Sequence, residues 1–143
     1  MATRLPDASK NAAANAVVDR IDGGTTNAQG ALRIYTGGQV ADPDSAPTGT
    51  LLAEIDLANP AYGNAAAGVA ALLGTPLSTT AVDAGTAGWF RVVDRDEATV
   101  YDGACRASAD PDNGEELVLD NTSIASGQTV NLTALSYTQP ESE

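Results

Sequence analysis

The chain is 143 residues long, with a formal net charge of −12 from 19 Asp and Glu against 7 Lys and Arg, and it has no His. Its length suits one ordinary domain able to bury a single core, while its scattered arginines exclude direct nucleic-acid binding and disfavour anionic membranes, because both need clustered cations. Without His, the commonest general base and metal ligand, no Ser-His-Asp or Cys-His system can be built from this chain alone.

The hydrophobic fraction is 43%, but aromatics supply only 4%. Each core position therefore contributes modest apolar area, and a thin core favours help from neighbours in an oligomer or larger assembly. The acidity reads first as surface solubility and mutual repulsion, with adaptation to a saline medium or docking on a basic partner as alternatives. One cysteine, Cys105, excludes an internal disulfide framework and a Cys-based zinc site. A small buried residue is its plainest role, and a disulfide between copies stays open. No run of strong hydrophobes follows Arg4 and no stretch approaches membrane-spanning length. The expectation is a soluble protein, made in the cytoplasm without a secretory signal.

The first segment reads as the only helix. Pro6 with Asp7 or Ser9 gives a start, and Ala13, Ala14, Val17, Val18 and Ile21 recur at spacings of three and four. Gly23 and Gly24 then suit a left-handed stop. The helix either packs on its own domain or a neighbouring copy, or serves as a docking arm; residues 2–22 are taken as the arm, with Leu5, Ala13, Val17 and Ile21 as interface candidates alongside Cys105.

From residue 31 onward the period changes from near 3.6 to 2, and turn residues recur about every ten positions, which is an all-β pattern. Segments 31–37 and 48–57 alternate, with Leu32 and Ile34 on one face of the first and Leu51, Ala53, Ile55 and Leu57 on one face of the second. The GGQVADPDSAP connector between them belongs on the surface. Segments 68–74 and 76–85 are diluted by Ala and Gly. In GWFRVVD (88–94) both faces are apolar, as in a buried strand, and 98–105, 115–121, a short piece at Ile124 and 129–138 follow. About eight strands argue for a β-sandwich or jelly roll with one N-terminal α-helix, a small barrel being the alternative. The division is a helical arm at 1–24, a β-domain at 25–138 and a flexible tail at 139–143.

Little in the chain points to chemistry. The Gly-Gly pairs lack a strand-to-helix turn with a Lys, so no phosphate-cradling loop is expected. Calcium is the best chemical candidate: ADPD occurs at 41–44 and 109–112, and the second runs into Asn113-Gly114-Glu115-Glu116, so Asp110, Asp112 and Glu115 are candidate ligands. The Gly offset does not fit an EF-hand, and Asp-Pro-Asp is also what a turn between strands looks like. The expectation is a turn, no cofactor and no enzymatic activity.

Taken in order, the helix ending in Gly-Gly, LRIYTG, GTLLAEIDLANPAYG, AGWFRVVDRD with TVYDG, and LVLDNTSIASGQTVNL resemble a family of small virion structural proteins of tailed bacteriophages. The resemblance spans residues 8–138, and its most specific pieces are GTLLAEIDL-x-NPAYG and GWFRVVD. It implies a β-sandwich or jelly-roll unit that coats a capsid or decorates a tail. Where such proteins often carry a Gly-containing central turn, this chain has Asp94-Arg95-Asp96-Glu97. The resemblance implies a capsid decoration or cement protein located in the virion, with the major capsid protein and copies of itself, as a dimer or trimer, for partners. A tail, neck or baseplate accessory is the second reading. A carbohydrate-binding or adhesion module, stacking sugars on Trp89 and the tyrosines, is the third, and it requires exposed aromatics.

Overall fold

The computed structural model describes residues 3–111 and 116–140. The only α-helix among them, α1 (Asp7–Asp19), starts after Pro6, whose extended backbone (φ −68°, ψ 161°) leads into the first turn. Asp7 lies in that turn, where its charge complements the unpaired amides. A 3-10 turn at Arg20–Asp22 ends the segment, with Gly23 extended and Gly24 at φ +112°. The left-handed stop therefore falls one residue beyond the helix cap.

Ala14, Val18 and Ile21 are fully buried, and Val18 and Ile21 belong to the same apolar cluster as the strands. The polar flank of the helix is tied down as well. Asn15 and Asn11 accept hydrogen bonds from the amides of Ala65 and Gly68, both at 2.8 Å, and Asp22 accepts from Ala61 at 3.0 Å. These contacts correct the expected separation of a 1–24 arm from a 25–138 domain. The apolar stripe packs on its own domain, the first of the two readings given for it, and only the residues before Asp7 stand clear of the core.

Nine strands follow: β1 (Ala31–Thr36), β2 (Leu51–Asp56), β3 (Val69–Ala71), β4 (Leu77–Thr80), β5 (Gly85–Val93), β6 (Thr99–Ala107), β7 (Leu117–Leu119), β8 (Ser123–Ile124) and β9 (Thr129–Thr138). The protein is all-β with a single N-terminal helix. Hydrogen bonding runs β2-β1-β5-β6-β7-β9-β3, with β4 on β9 and β8 on β5, so one curled sheet supplies both layers. The curl brings β4 back to β2, where the Val82 amide following β4 donates to the Leu52 carbonyl at 2.8 Å. All pairs are antiparallel except β6 with β7, which run parallel from Cys105↔Leu117 to Ala107↔Leu119 and so are not the hairpin their spacing suggests.

Two bulges explain where alternation breaks. In β2, Leu52 points with the polar residues by parity, yet it is fully buried. The register slips between Ile34 and Tyr35, whose partners are Ala53 and Leu51, leaving Leu52 as the extra residue turned inward. In β9 a slip between Val118 and Leu119 leaves Thr133 as the extra residue, its hydroxyl donating to the Val118 carbonyl. That switch places Leu132 and Leu135, three apart, in one core.

Candidate functional site

Three features of the β1-β5-β6 region bear on function. The first is the turn joining β5 to β6. Asp94 accepts from the amides of Asp96 and Ala98, both at 2.9 Å, closing the turn on its own side chain. Glu97 holds φ +68°, a conformation that favours glycine. Its carboxylate pairs with Arg33 at 2.8 Å, and Arg33 also reaches Glu54. Asp96 accepts from the amides of Thr25 and Thr26 at 2.8 and 2.9 Å, and Arg95 donates to the Asn27 carbonyl. The acidic tip is therefore stitched to the 24–28 loop, with Asp96 and Glu97 still exposed to solvent. A polar cleft of about 270 Å³ opens beside it, lined by Arg33, Glu54, Asp56, Asp94 and Glu97.

The amides of Thr25 and then Thr26 hold the Asp96 carboxyl below its ordinary value. A depressed folded-state value means that the contribution to stability is present above about pH 3.9, the unfolded value, and is lost as pH falls through the lower folded one. The protection of the Thr25 and Thr26 amides against hydrogen exchange, relative to the intrinsic rate at each pH, is expected to fall on acidification below pH 4 in the wild type. In Asp96→Ala that protection is already low at neutral pH and lacks the step.

The second feature covers the outer face of β1 and β5. Tyr35 and Trp89 stack with ring centroids 4.8 Å apart, and the Arg91 guanidinium lies 5.5 Å from the Trp89 ring centre. Arg91 makes a two-pronged ion pair with Asp102 at 2.7 and 2.9 Å and donates to the carbonyls of Ser45 and Pro43. The 37–50 connector is thus strapped over the sheet by a side chain beneath it. At its base, a Cβ on Gly88 would lie 1.9 Å from the Gly37 carbonyl oxygen, so only glycine permits that approach. Trp89 is 0% exposed. It cannot offer a stacking platform to a sugar.

The third feature is a cleft of about 380 Å³ between the strap, β6 and β9, lined by Pro43, Tyr101, Asp102, Glu116, Tyr137 and Pro140 among others. Tyr101 packs edge-on against Phe90 and Tyr137, with centroids 5.8 and 5.0 Å away, and its hydroxyl meets that of Tyr62. Burial pushes the Tyr62 and Tyr101 phenols well above the ordinary tyrosine range, and raises Tyr137 too. Raised phenol values mean stability that is intact below about pH 10 and lost above it, because the unfolded chain ionises first. In an absorbance titration, Tyr62 and Tyr101 are expected to ionise only together with alkaline unfolding; Tyr62→Phe leaves one such group fewer.

The residues singled out from sequence are dispersed. Leu5 is exposed, Ala13 and Val17 are half-buried, and Ile21 is 0% exposed inside the chain's own core. Cys105 is buried on β6 within that core, facing Leu117 across the parallel pair. Ile21, with no exposed surface, is corrected as an interface residue, and Cys105, 9% exposed, has the small buried role that reads most plainly from sequence. Asp110 lies in the exposed turn after β6, its carbonyl accepting from Arg106, whereas Asp112 and Glu115 lie outside the described residues. Among the described residues no group of three His, Cys, Asp or Glu side chains is arranged to hold a metal ion. In the first ADPD, Asp42 accepts from the Asp44 amide and its carbonyl from the Ser45 amide, which is a turn. Sequence reasoning missed Glu116 and the pairing of Tyr101 with Tyr137; their alternation within β6 and β9 was visible, but not that the two strands flank β7. No protein-family model, curated protein or solved structure matches this chain.

Proposed function

We propose that the protein is a non-enzymatic structural subunit of a tailed-phage virion: a decoration or cement protein that binds the outer face of the major capsid lattice as a dimer or trimer. The observation that carries the reading is the ordered likeness of GTLLAEIDL-x-NPAYG and GWFRVVD to small virion structural proteins, two stretches that here build β2 and the buried β5. The residues of the likeness are scaffold residues, as suits a protein whose work is to be held in place. A subunit that binds only the assembled shell stabilises it by its binding free energy, multiplied over many sites. The acidic surface keeps free copies soluble until they meet the lattice.

Quantitative mass spectrometry of particles produced from the genome that encodes this chain tests the proposal. Hundreds of copies per particle, with matching density on the shell in cryo-EM, support it. A few tens or fewer, placed on the tail, neck or baseplate, would instead establish the accessory reading that the same likeness permits. Absence from the particle overturns both.

A further inference from the structure

We propose that the Tyr101–Tyr137 cleft receives the Arg4-Leu5-Pro6 segment of a second copy of this chain, so that two copies exchange their N-terminal segments. This deepens the self-association part of the proposed function and does not depend on where in a virion the protein sits. The cleft offers two tyrosine rings at 61° to one another, with Pro43 and Pro140 at its edges. Asp102 is already committed to Arg91, while exposed Glu116 accepts a single amide, that of Ala104, at 3.1 Å. Aromatic rings, prolines and a rim carboxylate suit an extended segment carrying one cation and compact apolar side chains.

The chain carries such a segment. Pro6 has polyproline-type backbone angles, and Leu5 is 37% exposed, one of four large hydrophobics left at the surface. Arg4 beside it is exposed too. Most other cations are engaged within the fold: Lys10 with Asp7, Arg33 with Glu54 and Glu97, Arg91 with Asp102, and Arg95 and Arg106 with backbone carbonyls. Arg20 is exposed but sits at the far end of the helix, away from an apolar extended stretch.

The first turns of the helix are also tied to the strand that borders the cleft. Asn11, one turn into α1, accepts from the Gly68 amide, and the Gly68 carbonyl accepts from the Gln139 amide, between cleft residues Thr138 and Pro140. Residues 4–6 precede the helix and are not among the residues lining the cleft of their own chain. In a two-fold pair each segment enters the other's cleft, and the exchange closes on itself.

Sedimentation velocity of the full chain over a concentration series tests this. The wild type is expected to dimerise, and Arg4→Glu and Glu116→Arg each to weaken the dimer at least about tenfold, as expected for a close charge pair at an interface. The double variant, in which the charges are exchanged, is expected to recover most of the loss. Arg20→Glu, which changes charge equally, leaves the dimer unchanged. A wild type that stays monomeric overturns the proposal together with the dimer or trimer of the proposed function, while leaving the virion location to particle copy number. A dimer indifferent to either single variant, or singles that the double fails to rescue, overturns the proposal alone.

Discussion

Replacing Arg91 by Met is expected to destabilise the fold by about 3–5 kcal/mol, the range for removing one partner of a buried ion pair. The side chains of Arg91 and Asp102 are 5% and 1% exposed, so the substitution strands a carboxylate in a place that water does not reach. It also releases the Pro43 and Ser45 carbonyls that hold the strap, and takes the cation from the face of Trp89. Thermal unfolding should report a fall on the order of 10 °C for a domain of this size. Adding Asp102→Leu is expected to recover part of the loss, because the orphaned charge goes with it, though the strap carbonyls stay unpaired. Arg33→Met is the matched control, since its partners Glu54 and Glu97 are 44% and 60% exposed, and it should cost no more than about 1 kcal/mol. If Arg91→Met proves no worse than Arg33→Met, the strap is not anchored as described.

Such a pair shows what the sequence could and could not disclose. Period-2 patterning marked the longer strands most clearly, because alternation is written in nearest neighbours, Leu32 with Ile34 or Leu117 with Leu119, whereas Ala and Gly diluted it at 68–74 and 76–85. The places where it misled are those where a distant strand decides. Leu52 and Thr133 owe their facing to bulges opposite residues 17 or 18 and 14 or 15 positions away, and nothing local announces them. The two apolar faces of GWFRVVD marked a buried strand, but what engages Arg91 there, a connector more than 40 residues upstream folding over it, has no local sign. Asp94-Arg95-Asp96-Glu97 carries no local sign of its partners; loop 24–28 supplies the amides and carbonyl that engage it. The tyrosine cleft was illegible for a related reason. Tyr62, Tyr101 and Tyr137 are spread over 76 residues and meet only through the curl of the sheet.

The helix is the case where two local readings diverge most consequentially: the core contacts of Val18 and Ile21 bear out packing on its own domain and not a 2–22 docking arm. Deleting residues 1–22 is expected to abolish cooperative folding, and Ile21→Ala alone to cost about 2–5 kcal/mol. Ile21 is sealed on all sides, so tightly that a Cβ on Gly30 would lie 2.5 Å from its Cγ2 atom. The deletion also removes Val18 from the core and leaves the amides of Ala61, Ala65 and Gly68 without the acceptors that Asp22, Asn15 and Asn11 provide. Against a total stability on the order of 5–15 kcal/mol, those losses together leave no margin. Loss of particle binding by such a truncation would therefore report unfolding and not the removal of a docking arm. The residues free to act as an arm without carrying the core are those before Asp7, which is why Arg4→Glu, and not deletion, separates the two roles. Near-UV circular dichroism and a thermal melt decide the matter: a truncated chain that keeps its tertiary signal and melts within a few degrees of the full chain would make the helix an appendage after all.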